Sequence, residues 1–326
     1  MNQPHFQPAT QSQSGCVHRV FSRRITTFLL ALAIVIVVNT TPAWAGILTN
    51  GNLTVNILET NGAIGSVVFD GYEFFHISST ASVADYGMQL GSDDTTFAKN
   101  TEIPSPGTPT IPVTVTGGNV VTGTYTDVGA GANVTFVRTY SIVPARHVIR
   151  IVTDITNHGD PLTLAYFDTY NAEQGVQQSP TLGHSTYNLG LPLGGATAGQ
   201  SSISSNGGVS YQETVIAGSL DPRVTVAAGG FFSLFEGADV NDFFDFPFND
   251  NGALDDNGLH IGIRTPLGAN VTTRYTFDLS FGETPAAAQN EFLLANAPEP
   301  ATVVSLGVGF VYLLFAALRT SRRRAK

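Results

Sequence analysis

Carboxylates are concentrated in one stretch of the sequence, residues 231–258, where they are interspersed with phenylalanines. Clustered oxygen ligands of this kind are what Ca²⁺ takes in proteins, so the stretch is a candidate calcium site. The candidate ligands are Asp239, Asp242, Asp245, Asp250, Asp255 and Asp256. The EF-hand template does not fit, because placing Gly258 at its sharp turn puts Ala253 at the first ligand position. The alternative is a turn-rich acidic loop whose phenylalanines anchor it to the core.

The same aromatic side chains suggest a second chemistry, the stacking of sugar rings. Phenylalanine is the less usual residue for an exposed sugar platform, since tyrosine and tryptophan add a polar group. The single tryptophan, Trp44, lies in a segment that we expect to be removed. A calcium-assisted polysaccharide-binding module is therefore an alternative function, which rests more on the expected location than on these residues.

Catalytic residues are sparse in the sequence. Asp168 and Glu173 follow a predicted strand in FDTYNAEQG, where two carboxylates brought together by a loop would suit glycoside cleavage. The histidines are scattered without a metal-binding spacing, and there is no G-x-S-x-G motif. We therefore predict no enzymatic activity and no catalytic residues, with a carbohydrate-active enzyme as a further alternative.

The elements that must position these residues are predicted to be strands. Apolar and polar residues alternate through residues 270–281, the pattern of a half-buried strand. Alternation also predicts a hairpin over residues 134–155, with a turn at residues 144–147. Further strands are predicted at residues 53–58, 63–69, 72–77, 112–116, 120–126, 162–167, 209–216, 224–235 and 259–264. Only residues 286–294 have a helical pattern.

This series of short strands predicts an all-β fold, an antiparallel β-sandwich that is one large unit or two small ones. We place this ectodomain at residues 46–284, followed by a short helix or linker at residues 285–296, and expect the folded body to end near Phe281. The glycine-rich residues 183–208 are either a long loop or the divide between two units. One extended sandwich is the favoured interpretation.

The first 45 residues have the organisation of a secretory signal peptide. Basic residues precede an apolar stretch at residues 25–38, and the small residues Ala43 and Ala45 then frame a cleavage site before Gly46. The apolar stretch is too short to span a bilayer as a helix, which favours cleavage. Cys16, the only cysteine, is lost with this peptide, so the mature chain can form no disulfide.

The last residues combine an extended triplet with an apolar run and a basic end. Pro298-Glu299-Pro300 cannot be helical, while residues 301–318 are uncharged and just long enough for a transmembrane helix. The basic residues that follow belong on the cytoplasmic side, which places the ectodomain outside. They are Arg319, Arg322, Arg323, Arg324 and Lys326.

This ordered combination is similar to the PEP-CTERM sorting signal of exported bacterial proteins. The resemblance covers residues 297–326 and does not extend to the ectodomain. It implies recognition by an exosortase, a transpeptidase-like membrane enzyme that cuts near the Pro-Glu-Pro triplet. The protein would then reach the cell surface or the extracellular polysaccharide matrix. The helix is on this interpretation a temporary inner-membrane anchor.

Charge separates the ectodomain from both ends. Residues 46–297 hold seven strong bases and 24 carboxylates, a net charge of −17. Such a body repels phosphate backbones, so we expect no nucleic-acid partner. The expected partners are the secretion translocon, signal peptidase, an exosortase-type enzyme and extracellular polysaccharide. The sequence thus predicts an exported structural or matrix-associated surface protein without a firm cofactor.

Overall fold

The computed structural model describes the body of the chain and leaves both ends outside the description. The described residues are 44–75, 84–91, 97–100, 111–127, 132–172, 186–193, 196–202, 213–229, 240–245, 247, 249, 251–252, 254–255 and 258–297. The predicted signal helix and the predicted transmembrane helix fall outside these ranges. Neither helix within them is long and apolar enough to cross a membrane.

Strands dominate this part of the chain. In chain order they are β1 Trp44–Asn50, β2 Leu53–Leu58, β3 Ile64–Phe69, β4 Tyr72–Glu73, β5 Ala84–Leu90, β6 Phe97–Asn100, β7 Val113–Thr116, β8 Val120–Asp127, β9 Ala132–Ile142, β10 Val148–Asn157, β11 Leu162–Tyr170, β12 Thr186–Leu193, β13 Ala196–Ser202, β14 Thr214–Ser219, β15 Val224–Ala228, β16 Leu254–Asp255, β17 Leu259–Leu267 and β18 Thr272–Gly282. Two helices accompany them, α1 Val240–Asp245 and α2 Pro285–Ala295.

The strands form three sheets with antiparallel neighbours. A four-stranded sheet has the order β1-β2-β3-β4, and a five-stranded sheet has the order β15-β17-β11-β5-β6. The largest sheet has nine strands, in the order β16-β12-β13-β14-β18-β10-β9-β8-β7. The all-β antiparallel prediction is confirmed for the described residues.

The nine-stranded and five-stranded sheets pack face to face, as the alternation in β18 illustrates. Tyr275, Phe277 and Leu279 are buried, whereas Thr272 and Arg274 on the other face are exposed. Alternate residues of a strand point to opposite faces, so the apolar set lies between the sheets. The sheets therefore form a sandwich with a shared apolar interior.

The core is continuous across the three sheets. Its largest cluster of buried side chains includes Val55 from the four-stranded sheet, Phe277 from the nine-stranded sheet and Ile261 from the five-stranded sheet. A chain with two separate sandwiches would have two comparable cores. The described residues thus support one extended sandwich.

Helix α2 belongs to the folded body. It begins after Thr284, whose hydroxyl accepts a hydrogen bond from the Ala287 amide, with Pro285 in the first turn. Its buried side chains, Ala288 and Phe292, pack on the nine-stranded sheet. The helix prediction is confirmed, but the expectation that the body ends near Phe281 is wrong. Packing of Phe292 extends the body to the end of α2.

The glycine-rich residues 183–208 are neither simply a loop nor a divide, because β12 and β13 pair within them as a hairpin. Gly199 lies in β13 close to the five-stranded sheet, where an added Cβ would come within 2.9 Å of Val226 and 3.2 Å of Leu259. Glycine here permits a close approach between strands, although its strand propensity is low. A second correction concerns the acidic stretch, which contains α1 instead of turns alone.

Candidate functional site

The outer face of the five-stranded sheet carries buried polar side chains. Thr169 of β11 lies opposite Asp85 of β5 on one side and opposite His260 of β17 on the other. We call these three residues the polar row. Asp168 and Tyr170, the neighbours of Thr169 in β11, contact the interior between the sheets, so the polar row points to the opposite face.

The polar row is compact and withdrawn from solvent. Thr169 Oγ1 lies 2.6 Å from His260 Nδ1, and Asp85, Thr169 and His260 are 2%, 8% and 2% exposed. Adjacent strands lie about 4.8 Å apart, so the Asp85 and His260 backbones are separated by roughly 10 Å. Buried polar side chains on the outer face of a sheet are uncommon and informative. They distinguish this face from an ordinary solvated one.

Aromatic side chains lie next to the polar row. Phe243 of α1 stacks on Phe167 of β11, with ring centroids 5.4 Å apart, and its centroid lies 6.3 Å from that of His260. The neighbouring Phe244 lies under the Arg264 guanidinium, 5.4 Å from the ring centroid. Helix α1 therefore covers part of the sheet face and brings aromatic rings beside the polar row.

This combination of groups suits a neutral ligand with several hydroxyls. A carboxylate accepts hydrogen bonds, while a hydroxyl and an imidazole can each donate and accept. Ligand sites generally combine aromatic walls with a few such polar groups that fix orientation. The polar row and Phe243 supply groups of these types, and all four side chains are enclosed by the protein in this structure.

The candidate calcium ligands are only partly covered by the described residues. Asp245 lies at the end of α1 and forms an ion pair with Arg264. Asp242 lies in α1 and Asp255 in β16, whereas Asp239, Asp250 and Asp256 are outside the described ranges. No group of three or more metal-binding side chains occurs among the residues that are described. Calcium binding stays a prediction.

Asp168 has a different place from the one expected for a catalytic carboxylate. It lies in the interior between the two large sheets and forms an ion pair with Arg138 of β9. Its Oδ1 also accepts a hydrogen bond of 3.1 Å from the Tyr170 hydroxyl. Glu173 is outside the described residues. A carboxylate enclosed by the core and held by a guanidinium is not open to a glycan substrate.

Arg138 is the centre of this interior network. Its Nε donates to the Tyr140 hydroxyl at 2.6 Å, and its Nη1 donates to the Tyr166 hydroxyl at 2.9 Å. Burial raises the pKa of Asp168, although the Arg138 charge acts in the opposite direction. Burial also raises the pKa of Tyr140 to about 12, so this phenol keeps its proton. The network is a structural one that joins the two sheets.

Sequence reasoning missed both Arg138 and the polar row. Arg138 shares the strand parity of Val134, Phe136 and Tyr140, which was a usable signal for a buried charge. The polar row gave no such signal, because Thr169 and His260 are 91 positions apart and meet only through strand register.

The processing residues lie at or beyond the limits of the description. Ala45 and Gly46 are in β1, whose register pairs Gly46 with Ile57, and Ala43 precedes the described residues. Pro298, Glu299 and Pro300 follow the last described residue, and so do Arg319, Arg322, Arg323 and Arg324. Cleavage and sorting at these positions stay predictions.

No protein-family model matches the chain, and no curated protein matches it in sequence. Similar solved structures include a bacterial glucoamylase complexed with acarbose, at 13% identity and a TM-score of 0.48 over 79% of this chain and 35% of that chain. A polysaccharide lyase matches over 76% and 35% of the two chains, at 13% identity and a TM-score of 0.44. This chain thus spans about a third of both proteins. A galactose mutarotase-like protein from Lactobacillus casei matches over 73% and 99%, at 10% identity and a TM-score of 0.40. These likenesses are too distant to assign this chain a family or an activity.

Proposed function

We propose that this chain is an exported surface protein whose five-stranded sheet binds a neutral saccharide at the polar row. The observation that carries the proposal is the burial of Asp85, Thr169 and His260 side by side on an outer sheet face. These side chains have partners within the protein, as Thr169 has in His260, so a saccharide would replace part of their present cover. Polar groups next to aromatic rings suit recognition of hydroxyl groups.

The charge of the body narrows the class of saccharide. Seven strong bases face 24 carboxylates in residues 46–297, so the potential around the body is negative. Long-range repulsion disfavours polyanionic glycans, as it disfavours nucleic acids. A neutral polysaccharide of the extracellular matrix is the partner that fits both the polar row and the charge.

Binding of neutral oligosaccharides to the purified body tests this proposal. The Thr169→Val substitution keeps the side-chain shape and removes the hydroxyl, so we expect at least a tenfold loss of affinity. The matched control is Thr122→Val, on the exposed face of the nine-stranded sheet, which should bind as the unaltered protein does. Equal affinity in the two variants, or no binding to any neutral glycan, would contradict the proposal.

Calcium dependence belongs to the same measurement. We propose that the acidic residues 231–258 assist binding through Ca²⁺, as their carboxylates suggest. Chelation should then weaken glycan binding, and added Ca²⁺ should restore it. Glycan binding that is unchanged by chelation would contradict the role of Ca²⁺ but not the role of the polar row.

A second candidate function is catalysis at the same face. Asp85 and His260 flank Thr169 from opposite sides, so a sugar that displaced their present cover would lie beside a carboxylate and an imidazole. Such groups can exchange protons with a substrate as general acid and base. Turnover of the bound glycan that is lost in Asp85→Asn and His260→Gln would support an enzyme. Binding without turnover supports a binding module.

We further propose that the mature protein lacks both ends of the chain. The signal peptide pattern supports a new N-terminus at Gly46, and the resemblance to PEP-CTERM signals supports a cut near Pro298. Terminal peptides of the protein recovered from the cell surface test this by mass spectrometry. Peptides that retain Arg322, Arg323 and Arg324 in most of the material would indicate a permanent anchor instead.

A further inference from the structure

The end of α2 borders an open cleft of about 510 Å³ on the nine-stranded sheet. One wall is the last described segment of the chain, Ala295, Asn296 and Ala297. Leu220, Val143 and Pro144 also line the cleft. The cleft thus lies beside the last described residues of the chain, which we call the exit.

Hydrogen bonds fix this exit point. The Arg150 guanidinium donates to both carboxylate oxygens of Asp278, at 2.8 and 2.7 Å. The same guanidinium donates to the Ala295 carbonyl and to Asn296 Oδ1, each at 3.2 Å. Asn296 Nδ2 in turn donates to Asp278 at 2.8 Å. We call this set the exit clamp, and it holds the chain to within one residue of Ala297.

Apolar side chains are exposed around the exit. Leu293 and Leu294 in the last turn of α2 are each 40% exposed, and Leu220 in the cleft lining is 50% exposed. Pro144, also in the cleft lining, is exposed as well. We call these four residues the exit patch. Exposed apolar side chains also occur singly elsewhere, at Ile47, Val137 and Val271. Several near one point, by contrast, indicate a contact with something apolar.

The short connection between Ala297 and the apolar run at residues 301–318 indicates what the exit patch contacts. Three residues, Pro298 to Pro300, separate Ala297 from the uncharged run at residues 301–318. A fully extended chain advances at most about 3.6 Å per residue, so residue 301 lies within roughly 14 Å of Ala297. The exit clamp keeps the end of α2 from unwinding and lengthening the connection. The exit patch therefore stays close to the surface into which residues 301–318 insert.

We infer that the exit patch rests on the lipid surface while the chain is anchored, so that the cleft end of the body is its membrane-facing end. This inference rests on the proposed membrane insertion of residues 301–318. The leucines would enter the interface between headgroups and acyl chains, as apolar residues of peripheral segments do.

Fluorescence quenching in vesicles of phosphatidylcholine tests the inference on the full chain. Cys16 is replaced by serine, and a polarity-sensitive dye is attached at Leu220→Cys, Leu294→Cys or Val271→Cys. Val271 is the matched control, because it is 47% exposed and immediately precedes β18, seven residues or about 24 Å of extended chain from Asp278. Quenchers in the lipid headgroup region should dim the dyes at 220 and 294 several-fold more than the dye at 271.

Flotation of the same vesicles distinguishes the two ways in which this can fail. If the protein does not float with the vesicles, residues 301–318 do not insert into the membrane. The proposed contact of the exit patch with lipid is then wrong as well. If the protein floats but the three dyes are quenched equally, only the proposed contact of the exit patch with lipid is wrong. The Arg150→Gln variant removes four hydrogen bonds of the exit clamp, so it should float normally yet show a smaller difference in quenching.

Discussion

Arg138 is a charged residue on the face of β9 whose other side chains are mainly apolar. Its guanidinium is fully enclosed, and it bonds Asp168, Tyr140 and Tyr166 across the two large sheets. A buried ion pair of this kind contributes little net stability, because desolvation offsets the attraction. Removing one partner is different, since the remaining charge is then buried without compensation.

Replacing Arg138 by methionine should therefore lower the free energy of unfolding by about 3 to 5 kcal/mol. Urea unfolding followed by far-UV circular dichroism measures the loss. The matched control is Arg274→Met, which breaks an exposed ion pair with Asp154 and should change stability far less. Adding Asp168→Leu to Arg138→Met should recover part of the loss, and a further decrease would contradict this account.

Glu213 is the residue whose titration should govern stability near neutral pH. Burial raises the pKa of Glu213 to about 7, with the nearby Glu283 and Asp70 charges acting in the same direction. Within the described residues, its Oε2 has no hydrogen-bond partner. In the unfolded chain its pKa is near the ordinary 4.5, so the folded state binds the proton more tightly.

The stabilising contribution of this proton is complete below about pH 4.5 and is lost as the pH rises through about 7. We expect the free energy of unfolding to fall between about pH 5 and 8, and expect Glu213→Gln to flatten that fall. Glu59→Gln, at an exposed turn, serves as the control. The urea midpoint of unfolding, measured at about pH 5 and about pH 8, tests this prediction. An equal change of the midpoint with pH in Glu213→Gln and the unaltered protein would contradict it.

Single residues were the least predictable level of this structure. Asp168 was expected on a loop because the predicted strand ends at residue 167, yet β11 continues through it to Tyr170. His260 had no partner at a metal-binding spacing in the sequence, and its partner Thr169 lies on a neighbouring strand. Local patterns report one strand at a time, whereas the polar row is created by the register of three strands.

Elements were predicted where one face of a strand is apolar and the other polar. This pattern located β2 and β18 to within two residues, and the hairpin of β9 and β10 with its turn. Strand β5 was missed because it is buried on both faces and has no alternation. Strands β12 and β13 were missed because their glycines, needed for close packing, weaken the strand signal.

Phe292 should be the largest single apolar contact between helix α2 and the sheet. Phe292 is 1% exposed and fits above Gly218, where a Cβ would come within 2.8 Å of its ring. Phe292→Ala should cost about 3 to 5 kcal/mol of unfolding free energy and speed hydrogen exchange along α2. The adjacent Leu293→Ala, on the exposed side, should change stability by no more than about 0.5 kcal/mol. Equal effects of the two would show that α2 is not docked through Phe292.

The whole molecule is organised around a core that the three sheets share. Val55, Ile261 and Phe277 belong to one buried cluster although they come from different sheets. The composition and turn spacing indicated a sandwich but left open one unit or two. The number of units depends on which sheet faces pack together. Contacts between sheets produce no periodic pattern in the sequence, so the sequence alone could not predict that number.

A shared core predicts that the three sheets unfold together. Near-UV circular dichroism reports the packed tyrosines between the two large sheets, among them Tyr86, Tyr166 and Tyr275. Far-UV circular dichroism reports the strands of every sheet. In a cooperative transition the two signals should change at the same urea concentration, with one midpoint and one slope. Arg138→Met should shift both curves together, since the pair that it breaks joins the two large sheets. Separate midpoints for the two signals would mean that part of the sandwich unfolds independently, and would restore the interpretation of two smaller units.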